Sequence, residues 1–177
     1  MGTRNLTAVI KDGEYKVAQY GQWDGYPEGQ GTTVYNFIKG AGNLVKLENN
    51  LANTRWATDA DFTKAYDAIG ASTEGWITME QGEQLNALFP AFSRDTCAEI
   101  LDFVANAEGE IVLKDEHEFL NDTLFCEWAY VINFDTNELL VYAGETTPRV
   151  SFPLGGLPET ADEFYAKCHD HKLVELS

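Results

Sequence analysis

Apolar and polar positions alternate at the start of the chain, recur at helical spacing through its middle, and alternate again beyond residue 109. LTAVI and EYKVAQY are rich in strand formers and flank Lys11-Asp12-Gly13-Glu14. Asp-Gly is a strong signal for a two-residue hairpin, because its central positions need positive φ. Leu6, Ala8 and Ile10 alternate with Thr7 and Val9, which predicts a strand buried on both faces. The second strand runs directly into YGQWDGYPEGQG, residues 20–31, so this glycine-rich loop is mounted on a strand end.

Helical spacing takes over from residue 32. Thr32 or Thr33 is expected to cap a segment carrying Val34, Phe37 and Ile38, ended by Gly40-Ala41-Gly42. Asn43 is the expected cap for Leu44, Leu47 and Leu51. Asp59 or Asp61 opens a helix with Phe62, Ala65, Tyr66 and Ile69 on one stripe, ended by Gly70. Thr78 and Gln81 have capping-box spacing ahead of Leu85, Leu88 and Phe89. Ser93 or Asp95 opens a run with Cys97, Ile100, Leu101 and Val104 facing inward.

Strands return with the short EIVLK, an ambiguous EHEFLNDTL, and CEWAYVINF, which places Trp128, Tyr130, Ile132 and Phe134 on one face. Asp135-Thr136-Asn137 turns that strand into ELLVYAG. TTPRVSFPLGGLPE reads as a loop, and Thr160 with Glu163 opens a last helix through Phe164 and Cys168. Strands, helices and strands in this order predict an α+β fold, not a doubly wound nucleotide fold. The expected architecture is a single domain over residues 1–177. An antiparallel sheet from the N-terminal and C-terminal hairpins carries the helical block of residues 32–108 on one face, with further hairpins over 109–147 and a loop and helix over 148–177.

A chain of 177 residues with 44% hydrophobic content suffices to bury a core. No apolar stretch approaches a membrane span, and the first residues lack a signal peptide's apolar core and a myristoylation pattern, so a cytoplasmic protein is expected. Three widely spaced cysteines without a CxxC pair argue against a disulfide framework and against a zinc site; Cys97 and Cys126 are read as buried small hydrophobes.

Charge changes the picture more. The net charge is −17, and residues 51–147 hold nineteen acids against four bases, whereas residues 1–50 hold five of each. Such a surface repels nucleic acids and anionic membranes, which bind through Lys and Arg, and it attracts a basic protein surface.

Candidate chemistry concentrates in the loop. Glycines let backbone approach a ligand, Tyr20, Trp23 and Tyr26 offer stacking area, and Asp24 and Glu28 can receive a cationic or hydroxyl-bearing group. These five are the candidate binding residues. The loop lacks the Lys and spacing of a phosphate loop. His169 and His171 straddle Asp170, but one such cluster near a terminus is weak, and His117 lies in a solvated charge run, so neither a metal nor a cofactor is expected. No GxSxG or HExxH motif is present.

The opening MGTRNLTAVIKDGEYKVAQYGQWDGYPEGQG resembles the start of a family of uncharacterised proteins from phages, prophages and some fungi, and FCEWAYVINFDTNELLVYAG resembles the hairpin such proteins carry later. The resemblance implies a viral origin and carries no mechanism. The order of hairpin, loop, helices and hairpins is also similar, distantly, to N-terminal-nucleophile hydrolases. In that class a terminal Thr, Ser or Cys attacks and its amine is the base. Removal of Met1 exposes Gly2 instead, so Thr3 would serve only after a further cleavage, with Asp24 and Glu28 as the other catalytic candidates of that alternative. The leading expectation is a non-enzymatic acidic protein, a phage accessory or anti-defence factor that binds a host protein.

Overall fold

The computed structural model describes residues 2–72 and 76–170. Strands β1 (Asn5–Lys11) and β2 (Glu14–Gly21) form the expected hairpin, with Asp12 and Gly13 at φ 56° and 73° as its turn demands. Strand β5 (Trp128–Asn133) turns into β6 (Glu138–Tyr142), and the carboxylate of Asp135 in that turn accepts from Asp12 N–H and Gly13 N–H at 2.8 Å each. The two hairpins join in one five-stranded sheet of order β2-β1-β5-β6-β7, where β7 is Val150–Pro153.

The fold is α+β as expected, but the join between hairpins differs from expectation. β1 and β5 run parallel, with Leu6 opposite Ala129 and Val9 opposite Ile132, so the sheet is mixed. A parallel pair needs a long crossover, and the whole helical block supplies it. β7 is a second correction: the stretch read as a loop pairs antiparallel with β6, with Phe152 buried and Pro153 tolerated because the strand is at the edge.

β1 is buried on both faces. Val9 joins Val17, Tyr130, Ile132, Leu139 and Val141 on the face covered by α1 (Thr32–Lys39), α2 (Asn43–Asn50), α5 (Ile100–Asn106) and α6 (Ala161–His169). Leu6 and Ala8 pack with Cys126, Ala129 and Val131 on the other face, under Phe119 and Leu120 of the 3-10 turn His117–Asn121. All three cysteines are buried and free.

Two further helices stand apart from this core. α3 (Asp59–Ala68) and α4 (Met79–Leu88) share a small cluster of three buried residues, Ala65, Ile69 and Leu85. Phe92 packs against both this cluster and the main core. The cap of α3 is Thr58 rather than Asp59 or Asp61; Asp61 is its capping-box partner, while Thr78 and Gln81 form the box expected at α4. Hydrogen bonds from Arg55 and from the Thr58 N–H hold the Asp61 carboxyl well below the usual carboxylate range. Arg55 also reaches Glu110 at 3.1 Å, which ties α3 to the short parallel pair β3 (Thr54–Trp56) and β4 (Ile111–Leu113). Gly42, at φ 79°, precedes α2 in place of an Asn43 cap, and the Asn43 amide instead donates to Phe37 O at the end of α1. No helix among the described residues is long and apolar enough to cross a membrane.

Candidate functional site: an aromatic loop and the cleft beside it

The segment of residues 20–31, whose first two residues end β2, is a rigid mount. Its four glycines, Gly21, Gly25, Gly29 and Gly31, all lie outside the left-handed region, where Asp24 is the residue found, at φ 52°. They are glycines because atoms approach closely. A Cβ would stand 2.6 Å from Asn5 Oδ1 at Gly21, 2.7 Å from Asn5 Cβ at Gly25 and 2.2 Å from Asp24 O at Gly29. The buried Asn5 amide donates to both Thr3 O and Trp23 O at 3.1 Å, and Gly25 N–H donates to Thr3 O at 3.0 Å. From below, the buried Tyr130 hydroxyl donates to Gly25 O at 2.7 Å. A π-helical turn, Pro27–Gly31, then runs straight into α1, so Thr32 is not a cap; its hydroxyl donates back to Glu28 O at 3.0 Å.

On this locked backbone Trp23 and Tyr26 each remain 40% exposed. Trp23 donates from Nε1 to Asp95 Oδ1 at 2.6 Å, and the loop is tied to the same segment by Gln22 N–H to Arg94 O at 3.0 Å. Between this wall and the α3–α4 pair lies a cleft of about 890 Å³, within the size range of small-molecule and peptide-anchor sites. Tyr20, Gln22 and Trp23 line one side, and Tyr66, Trp76, Met79 and Glu83 line the other. Arg94, Asp95, Lys114, Glu116 and Phe119 complete it. Burial pushes the Glu116 carboxyl up, against the pull of the Lys114 ammonium at 3.4 Å. Burial likewise raises the Tyr20 hydroxyl, whose ring meets Phe119 edge-on at 4.9 Å.

The five candidate binding residues therefore divide. Tyr20 and Trp23 line the cleft; Asp24, Tyr26 and Glu28 do not. Tyr26 donates to Asp24 Oδ1 at 3.2 Å, and the Asp24 charge and this bond raise its hydroxyl pKa. Glu28 pairs with His169 of α6 at 2.9 Å; partial burial pushes its carboxyl up, but the bonds from His169 and from its own backbone outweigh that and hold it below its ordinary value. Among the described residues no hydrogen bond joins Thr3 to Asp24 or Glu28, and Thr3 does not line the cleft. No group of three or more His, Cys, Asp or Glu among the described residues could hold a metal ion, and His171 lies outside those residues.

Sequence reasoning missed Trp76, which is fully exposed beside exposed Met79. A signal for it exists. An apolar residue just before a capping box normally packs on position N4 of its helix, but here N4 is Gly82, so Ile77 and Trp76 have no side chain there to cover them. Gly82 also lines the cleft, and among the described residues a Cβ there would meet only Ile77 Cδ1, at 3.9 Å. Gly82→Ala is thus expected to stabilise α4 by about 1 kcal/mol and to raise the melting temperature by about 2–4 °C in calorimetry; a lower melting temperature would refute the open position.

Compared with known protein families, curated proteins and solved structures, the chain finds no match.

Proposed function

We propose that the protein is a non-enzymatic acidic binding protein whose cleft, between Trp23 on the loop and Trp76 ahead of α4, receives a basic surface of a partner protein. In the setting implied by the family resemblance, it is a phage accessory or anti-defence factor acting in the host cytoplasm, and its carboxylates compete with nucleic acid for the partner's basic face. The observation that carries this reading is Trp76, an indole left wholly in water on the rim of an aromatic-lined cleft. Exposed large apolar groups gathered at one place mark an interaction site. Trp and Tyr dominate interface energetics, at about 2 kcal/mol or more for each central residue. A net charge of −17 steers a basic partner toward the protein.

The test is capture from host extract at low salt, followed by titration of the captured protein in purified form. Trp76→Ala, which leaves the buried core untouched, is expected to weaken the affinity about tenfold or more, and charge reversal within residues 95–118 should slow association. Equal affinity of Trp76→Ala and wild type, with no dependence on salt, would refute the reading.

A further inference from the structure

Trp23 and Arg94 both line the cleft, and the two side chains lie close together. The Arg94 guanidinium carbon lies 5.8 Å from the Trp23 ring centroid, within reach of a cation–π contact. Arg94 forms no ion pair among the described residues, although the chain carries 29 acids against 12 bases. Its neighbour Asp95 spends its carboxylate on the Trp23 indole N–H instead. The indole is thus held at its edge by an anion and carries a cation near its ring, while Glu83 and Glu116 line the same cleft. An aromatic face with carboxylates nearby is the chemistry that recognises a guanidinium, which stacks as well as pairs. A second copy of the chain would bring the same charge of −17 and be repelled, so the complementary occupant is a basic segment of another protein.

Resting on the reading of the cleft as a basic partner's seat, we propose that Trp23 receives an arginine side chain of that partner, and that Arg94 is a stand-in which holds the seat in the free protein and is displaced on binding. Arg94 is suited to this. Its carbonyl anchors Gln22 and the loop, but its side chain is exposed, lies near the Trp23 ring and, among the described residues, forms no ion pair. The side chain can therefore leave without disturbing the mount.

The experiment uses the full chain and a fluorescein-labelled peptide in which arginines alternate with leucine and glycine, alongside the same peptide with citrulline, a neutral isostere, at each arginine. The arginine peptide is expected to bind, and the citrulline peptide about tenfold more weakly. Arg94→Gln should tighten the arginine peptide about two- to fivefold, the worth of one exposed cation–π contact, without tightening the citrulline peptide. Lys46→Gln, the same charge change on α2, should leave both unchanged. Arginine-peptide binding that is lost with Trp76→Ala but not tightened by Arg94→Gln would overturn the stand-in and leave the reading of the cleft intact. Equal binding of the arginine and citrulline peptides would overturn the arginine seat. Binding of neither peptide would bring down both.

Discussion

Alanine at Gly25 is expected to lower the unfolding free energy by about 3 kcal/mol, the upper end of the cost of overpacking, read as a lower urea midpoint at an unchanged slope. The added Cβ would stand 2.7 Å from Asn5 Cβ, 2.8 Å from Thr3 O and 3.1 Å from Asn5 Nδ2. None of these atoms is free to yield. Asn5 is fully buried at the start of β1, which is paired on both sides, by β2 and by β5. Lifting the loop instead would break Gly25 N–H to Thr3 O and Tyr130 OH to Gly25 O. The hydroxyl of Tyr130 is buried, so losing its acceptor leaves a donor without a partner. Gly42 and Gly70 are glycines of the other kind: their φ is positive, and a methyl group added at either would meet nothing within 4 Å among the described residues. A loss below about 1 kcal/mol at Gly25 would mean that the loop is compliant, and the rigid presentation of Trp23 would fall with it.

This distinction between glycines bears on what was legible in the chain. The Asp12-Gly13 turn, the double burial of β1 and the Thr78–Gln81 capping box are local, fixed within a few residues by φ, alternation or hydrogen-bond spacing, and all three are present. The glycines of residues 20–31 look the same in the sequence whether they supply positive φ or close approach. At Gly21 and Gly25 the partner strand decides, and Asn5 is sixteen residues away from Gly21 in the chain. The parallel pairing of β1 with β5 was hidden for a similar reason, since each hairpin fixes its own register but says nothing of how two hairpins meet. At the site, Tyr20 and Trp23 could be singled out as aromatic residues in a glycine-rich loop. Tyr66, Arg94, Lys114, Glu116 and Phe119 are brought to them only by tertiary folding.

Aspartate at Asn5 should produce the largest loss, about 4 kcal/mol at neutral pH, the cost of an uncompensated buried charge, and it should be largely recovered in acid. The Asn5 amide is a two-pronged donor, 3.1 Å from Thr3 O and 3.1 Å from Trp23 O, while its Oδ1 is buried with no hydrogen-bond partner among the described residues. Aspartate has the same shape but sets a carboxylate oxygen against two carbonyl oxygens in a fully buried place. Repulsion and burial both raise the folded-state pKa of that carboxyl above its unfolded value of about 3.9. The unfolded state therefore releases its proton first as pH rises, and stability falls by about 1.4 kcal/mol per pH unit between the two values. Below the unfolded value both states are protonated, and the acid O–H can donate to one of the two carbonyls, leaving about 1 kcal/mol of residual cost for the other. Urea titrations of Asn5→Asp and wild type at a series of pH values would resolve this, because the difference between them isolates the new group from every carboxylate they share. A difference that stays flat with pH would mean that the new carboxyl is solvated. The clamp that holds Thr3, Asn5 and Trp23 together would then be open to water, and Trp23 would no longer be the fixed wall on which a partner's cation can be received.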